Sequence, residues 1–413
     1  MLTRTPIPSD DPARVNLLDP AVHRDHDLSA LWRRLRAGAP VWRHPPAGAA
    51  PGFWVLSKHG DVMAAYRDAE RFRSMSGNML GTLTRGGDSA GGRMLVVTDG
   101  RRHTSLRRLM QTGFGPRVLG VVGDYVERAT AGVVAAAVER GECDFAEDVA
   151  SVIPLAAICE LLDVPVADRP RILGLTRSAL ETEHGEQQSL ESRLAQSEIL
   201  LYYTRLAAER RDSPGADAVS LLATGLVEDR PLTAEEVVLN CYNLIIGGDE
   251  TARLSMTTGL LALIEHEGEW DRLVSGEAGV PQAVEEILRW TTPAIHVGRV
   301  AATDVPIRGT TIPAGDIVTM WNVSANRDED VFDRPDELIL DRSPNRHITF
   351  GHGPHFCLGA HLAKVELRAM LTTLRESVAA VVPSGPVRWL SSNFLNGVES
   401  LPVVLKPKAR EAA

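Results

Sequence analysis

Apolar residues recur at intervals of three and four through the middle of the chain, as in Val133, Val134, Ala137 and Val138 and again in Leu155, Ile158, Leu161 and Leu162. That spacing gathers them on one face of a helix and predicts helix over most of 101–290. Thr233-Ala-Glu-Glu236 has the form of a capping box, in which hydroxyl and carboxylate each satisfy a free backbone N–H. It opens a long helix predicted to reach Glu265. Before this region, Phe53-Trp54-Val55-Leu56 reads as a strand running into a helix from His59 to Asp68. The stretch 76–93, with Gly77, Gly86-Gly87 and Gly91-Gly92, reads as a mobile loop. After residue 295 short strands return at Val297–Val300, Val305–Ile307 and Ile317–Met320. A loop rich in Asp, Arg and Pro (326–346) leads to a last helix over Leu358–Glu376, and the tail 380–405 reads as small hairpins. Nothing alternates as a parallel βα sheet would. The predicted class is mainly α with small peripheral β-sheets, an α+β arrangement.

Length and charge narrow the function. The 413 residues alone suggest two or three domains, at about 150 residues each. The 44 Lys and Arg against 54 Asp and Glu leave a formal charge of −10, which disfavours nucleic acid as a partner because neutralising phosphate needs a basic face. No run approaches the roughly 18 apolar residues of a membrane span, and the first twenty residues lack the apolar core of a signal peptide. Cys143, Cys159, Cys241 and Cys357 are widely spaced and form no disulfide framework. The expectation is a reduced, cytoplasmic protein in which any working cysteine acts as a thiolate or a ligand.

The stretch Phe350-Gly-His-Gly-Pro-His-Phe-Cys357-Leu-Gly359 carries the most chemistry. Its glycines and proline force a tight turn just before a helix, so Cys357 sits where unpaired N–H groups and the helix dipole stabilise negative charge. Three readings compete: a small buried hydrophobe, a zinc site completed by His347, His352, His355 or His361, and haem iron held by cysteine thiolate. The spacing from His352 to Cys357 fits no standard zinc pattern. Phe350, Gly351, Gly353, His355, Cys357 and Gly359, however, fill all six defining positions of a signature that resembles the haem-binding loop of the cytochrome P-450 family.

That resemblance gives weaker motifs a meaning. Glu286 and Arg289, three apart on one helix face and with Glu286 71 residues before Cys357, resemble the pair that braces the cysteine loop. Gly247-Gly248-Asp249-Glu250-Thr251 resembles the family's oxygen-binding groove. There the two glycines are expected to distort the helix, and Glu250 with Thr251 would form the acid–alcohol pair that relays protons. His103, Arg107, Arg299 and His355 match the cations that hold the haem propionates. The departures are Asp249 at a variable position, Ala252 for a frequent threonine, and Lys364 for arginine. Glu337 stands where many members carry an Arg that completes the triad with Glu286 and Arg289, and Arg334 is the candidate to replace it.

The resemblance spans residues 16–405 and implies one domain over 1–413, a triangular helical prism around a buried haem b with a small β-rich lobe from 40–60 and 295–320. It implies a monooxygenase using O2 and electrons derived from NAD(P)H, delivered by a separate ferredoxin and ferredoxin reductase. No fused flavin or iron–sulfur motif is present in the sequence. Arg107, Arg108, Arg346, Lys364 and Arg368 would form a basic docking patch. The pocket would draw on Met75–Val97, residues around 175–190, Asn243–Gly247, Ala294–Val297 and the tail near Phe394–Asn396. Asn78, Asn243, Ala294, Ile295, His296, Val297 and Phe394 are its named candidates, with His296 expected to anchor a polar group. The expected substrate is a secondary-metabolite intermediate, free or tethered to a carrier protein, and the expected state a monomer. Peroxide-driven oxidation, oxidative coupling and a non-catalytic haem sensor or scaffold are the rival readings.

Overall fold

The computed structural model describes residues 4–9, 11–180 and 190–409. The expected helix-rich architecture is present. Helices Gly100–Thr112, Pro116–Arg140, Val152–Leu161, Ala234–Glu265, Val280–Thr291 and Ala360–Ser377 enclose one large apolar core. The Ala234–Glu265 helix runs 32 residues through that core, and Thr233 and Glu236 close the anticipated capping box at its start. It is continuous through Gly247 and Gly248, so the expected distortion is not seen. The two glycines serve different ends. A Cβ on Gly248 would lie 3.0 Å from Ile158 Cδ1 on the neighbouring helix Val152–Leu161, whereas one on Gly247 would meet nothing within 4 Å. Gly248 lets two helices approach, and Gly247 leaves a groove open.

A five-stranded mixed sheet forms the smaller lobe, in the order Val41–His44, Phe53–Leu56, Ile317–Met320, Val297–Ala301, Phe72–Arg73. The central strand Ile317–Met320 pairs parallel with Phe53–Leu56, Met320 opposite Leu56, and antiparallel with Val297–Ala301, Met320 opposite Val297. A second cluster built on Trp32, Leu80, Ile295 and Trp321 packs beside this sheet. The glycine-rich stretch 76–93, read as an open loop, contains a short helix at Leu80–Thr84, and its Asn78 carbonyl accepts the Gly298 N–H at 2.7 Å. The tail contributes Val378–Pro383 and Pro402–Pro407 to a three-stranded sheet with Glu142–Asp144, and a hairpin of Arg388–Trp389 with Val398–Ser400. Among the described residues, no helix is long and apolar enough to cross a membrane.

Candidate functional site

The cysteine loop is fixed by its own backbone. Gly351 and Gly353 take φ of +67° and +70°, and a Cβ on Gly353 would lie 2.5 Å from the Tyr66 carbonyl, so that position admits glycine alone. The Cys357 N–H donates to the Phe350 carbonyl at 2.9 Å and closes the loop ahead of Gly359, the N-cap of the Ala360–Ser377 helix. Cys357 is the one exposed cysteine among the described residues. Burial pushes its thiol above the ordinary value, and the Gly359 N–H and the Arg107 charge only partly offset this. The helix end therefore does not lower the thiol as expected from the sequence; a coordinated metal would have to select the thiolate.

Around this loop the structure gathers His103, Arg107, Arg299 and His355. The His103 and His355 rings lie 4.0 Å apart. Burial, then the charges of His355, Arg107 and Arg299, hold His103 down to about 4, and its Nε2 is buried without a partner. Arg299 is 5% exposed and donates to its neighbour's carbonyl, Gly298, at 2.7 Å; Arg107 donates to the Phe356 carbonyl at 2.6 Å. Among the described residues, neither arginine has a carboxylate within ion-pair distance. Asp99 lies 3.9 Å from His355 Nε2 and is fixed by the N–H groups of Ser74 and Met75, while Ser74 Oγ is 3.1 Å from the same nitrogen. Burial raises the Asp99 carboxyl, but the nearby His355 ring and the hydrogen bonds from these amides outweigh it and hold it at about 2. Asp99 and Ser74 were not singled out from the sequence, because neither belongs to the motif they support. This excess of desolvated cations beside an accessible cysteine suits a prosthetic group with a thiolate-seeking iron and acidic side arms. The residues fit haem. Among the described residues, no three His, Cys, Asp or Glu side chains are placed to hold a metal ion, so the zinc reading lacks a ligand set.

The long helix presents an accessible stripe. Gly247 is exposed, and Asn243, Glu250 and Thr251, each one turn away, are half-buried, whereas the run 252–263 that follows is sunk in the core. The Thr251 hydroxyl donates to the Gly247 carbonyl at 2.9 Å. Glu250 does not bond Thr251. Its carboxylate takes both arms of Arg253, one at 2.9 Å, and Arg253 reaches on to the Glu399 carbonyl at 3.3 Å. Arg253 was not foreseen, because an Arg three residues after a Glu is an ordinary helix pair until burial isolates it.

Glu286 and Arg289 are fully buried and joined by two hydrogen bonds of 2.8 Å. Arg334 does not complete the triad; it lies exposed beside Asp333 and Glu337. Arg342 does so instead, with Nε 3.0 Å from Glu286 Oε2. Of the pocket candidates, Asn78, Ala294, Val297 and Phe394 are half-buried and flank one another along the edge of Val297–Ala301. Ile295 is buried in the second apolar cluster, and the His296 ring packs edge-on against Phe394 at 5.6 Å. His296 is fully buried, its Nε2 accepts the Leu80 N–H at 3.3 Å, its Nδ1 has no partner, and its ring lies 4.7 Å from Trp321, so it packs in the core behind Phe394 and is not the exposed anchor expected. Of the expected stretch around 175–190, residues 181–189 lie outside the described residues. On the cysteine side Arg108, Arg346 and Arg368 are exposed, while Lys364 is taken up by Glu285 at 2.7 Å.

A helical body with small sheets and a loop cysteine beside buried cations defines a class of oxidoreductase. The family model "Cytochrome P450" matches residues 280–377. Cytochrome P450 NovI of Streptomyces niveus is 45% identical over 403 residues, covering 98% of this chain and 99% of that protein. The crystal structure of P450 OxyD, described as involved in the biosynthesis of vancomycin-type antibiotics, superposes with a TM-score of 0.88 at 37% identity, over 95% of this chain and 100% of that one. PksS, the cytochrome P450 of the bacillaene polyketide synthase of Bacillus subtilis 168, gives a TM-score of 0.83 at 28% identity, over 95% and 99%. The chain belongs to the cytochrome P450 family, in its bacterial branch. It is an oxidoreductase of the monooxygenase type, and the family implies haem iron, O2 and electrons from a reductant.

Proposed function

We propose that the chain holds haem b through the Cys357 thiolate and inserts one oxygen atom from O2 into a C–H or C=C bond of a natural-product intermediate. The observation that carries this is the accessible Cys357 beside Arg107 and Arg299, two desolvated cations without carboxylate partners among the described residues. Bound haem would supply the activation of dioxygen, with the sulfur ligand favouring O–O cleavage.

The chain's own residues bind and move protons around it. His103, Arg107, Arg299 and His355 hold the propionates, and Asp99 with Ser74 fixes the His355 ring. Thr251, beside the groove that Gly247 leaves open, donates a proton to the distal side. Once Arg253 releases the Glu250 carboxylate, that group would take up a proton from water and pass it on to replenish Thr251. Glu286, Arg289 and Arg342 keep the cysteine loop in register. Asn78, Asn243, Ala294, Val297 and Phe394 line the substrate side. Electrons originating in NAD(P)H arrive through a reductase and a ferredoxin, which docks where Arg108, Arg346 and Arg368 are exposed. The catalytic unit is the whole chain as a single cytoplasmic domain. The natural-product assignment is supported by the relatives OxyD and PksS, whose names tie them to antibiotic and polyketide assembly.

The test is a spectrum of the reduced protein under carbon monoxide. A far red-shifted Soret band in wild type that disappears in Cys357→Ala is expected. No such band in wild type, or its survival in the variant, would overturn the proposal.

A further inference from the structure

Residues 390–397 form a loop that closes the hairpin of Arg388–Trp389 and Val398–Ser400, with the Leu390 N–H donating to the Gly397 carbonyl at 3.0 Å. One end of the loop is pressed on the long helix. A Cβ on Gly397 would come within 2.9 Å of Leu254 Cβ and of Thr258 Oγ1, and Leu254 lies one turn beyond Thr251. Its inner edge is bonded to the segment entering Val297–Ala301. The Ile295 N–H donates to the Phe394 carbonyl at 3.0 Å, and the Asn396 N–H to the Pro293 carbonyl at 2.8 Å. The loop thus carries Phe394 alongside Ala294.

The outer edge is held by the far end of the sequence. Arg4 directly precedes the two-residue strand Thr5–Pro6, which pairs in parallel with His26–Asp27 and so fixes where Arg4 begins. Its guanidinium lies 3.9 Å over the Trp389 ring at the foot of the hairpin, and Nη2 donates to Asn396 Oδ1 at 2.9 Å. The Asn396 amide is therefore shared, its oxygen accepting from Arg4 and its nitrogen donating to the Thr291 carbonyl at 2.8 Å. Fourteen residues after Arg4, the Leu18 carbonyl accepts from Asn393 Nδ2 at 2.7 Å. Arg4 is not a loose surface cation. Its Nε is buried without a partner, and burial lowers its pKa to about 10 against the pull of Asp27 and Asp25, so it still carries its charge at neutral pH. A desolvated guanidinium stacked on an indole and bonded to an amide makes a stiff joint.

We infer that Arg4 is a positioning residue for the substrate pocket: it clamps loop 390–397, and with it Phe394, against residues 291–295. The N-terminal segment thereby takes part in selecting bulky ligands without touching them. This rests on the reading of a haem site lined by Ala294 and Phe394.

The test uses the haem-loaded full chain, titrated with imidazole and with clotrimazole, and reads the Soret shift that each azole produces on binding iron. Imidazole needs only the iron, whereas the bulky groups of clotrimazole must fill the pocket. In Arg4→Ala the clotrimazole Kd should rise about tenfold, the loss of one charge-assisted hydrogen bond carried into the pocket, with imidazole unchanged within about twofold. Arg4→Lys keeps the charge but not the planar fork and should move in the same direction, which covers the case of an unstable alanine variant. Wild-type affinity for clotrimazole in both variants would overturn the inference. An equal loss for both azoles would also do so, because it marks general loosening rather than a shaped pocket. If imidazole shifts no Soret band in wild type, the haem reading fails and takes this inference with it.

Discussion

Glu285 and Glu286 are neighbours in sequence and opposites in surroundings, so replacing each with Gln separates burial from charge. The Glu286 side chain is 0% exposed, as is that of Arg289, its partner. Its two oxygens accept from Arg289 at 2.8 and 2.8 Å, from Arg342 at 3.0 Å, from Asn345 at 3.0 Å and from the Ile339 N–H at 2.9 Å. The remaining donors of Arg289 go to the carbonyls of Asn326, Pro335 and Glu337, which carry no charge. Glu286→Gln thus leaves Arg289 as a buried cation without a counter-charge and turns an NH2 towards donors that need an acceptor. Removing one member of a buried ion pair costs about 3–5 kcal/mol, a large part of a total stability of about 5–15 kcal/mol. The Glu285 side chain is 34% exposed and shared between Lys364 at 2.7 Å and His347 at 3.0 Å. A solvated pair of this kind is worth about 1 kcal/mol or less. Urea unfolding of both variants, followed by far-UV circular dichroism, should separate them by about 3 kcal/mol, and the Glu286→Gln melting midpoint should fall by roughly 5 °C. A Glu286→Gln loss within about 1 kcal/mol of wild type, or an equal loss in Glu285→Gln, would refute the argument that Glu286 holds the loop scaffold together.

The remaining predictions concern chemistry, acid and the groove. Cys357→Ser should abolish the red-shifted band of the reduced carbon monoxide complex while leaving the circular dichroism spectrum unchanged, and a retained band would exclude this cysteine as the ligand. Thr251→Ala should keep consuming NAD(P)H while product per electron pair falls at least about tenfold and hydrogen peroxide accumulates; full coupling would remove Thr251 from the proton path. Burial holds His296 down to about 3 and His23 to about 4, below the unfolded value of 6.5. The unfolded chain therefore binds more protons, and stability falls as pH drops below 6.5, by roughly 2 kcal/mol per histidine at pH 5. His296→Gln should flatten part of that loss in unfolding curves taken from pH 7 to pH 5, and an unchanged slope would show that the ring is already hydrated. Gly247→Ala should gain up to about 1 kcal/mol of helix stability while weakening carbon monoxide binding to the reduced protein, since its methyl group enters the open groove; unchanged binding would separate Gly247 from the ligand path.

Local signals were legible where they act over a few residues. The capping box at Thr233 and the helix it opens are legible because both depend on groups within one turn of each other. The cysteine loop is legible for the same reason, its glycines being dictated by backbone angles. What stays hidden is the choice among chemically equal partners that the fold alone decides. Arg334 and Arg342 are equally basic and Arg334 is nearer in sequence to the brace, yet the backbone after Ile339 turns Arg342 inward to Glu286. Ala294 and His296 differ by two positions, but the irregular entry into Val297–Ala301 leaves one half-buried beside Leu395 and buries the other completely between Trp321 and Phe394. The contact between Arg4 and Asn396 joins the two ends of the chain and leaves no local trace.

The two glycines of the long helix show why composition and geometry must be argued together. Adjacent glycines lower helix propensity by about 1 kcal/mol each, and that is the correct local energy. It does not break the helix, because the long run 252–263 that follows is buried on every face and its packing exceeds the deficit. Once the helix is held continuous by its neighbours, the missing side chains act on space instead of on backbone angle. At Gly248 the space is taken by Ile158, so the glycine draws two helices together; at Gly247 nothing fills it. The groove is thus the difference between two identical residues, and it arises because only one of them has a neighbour.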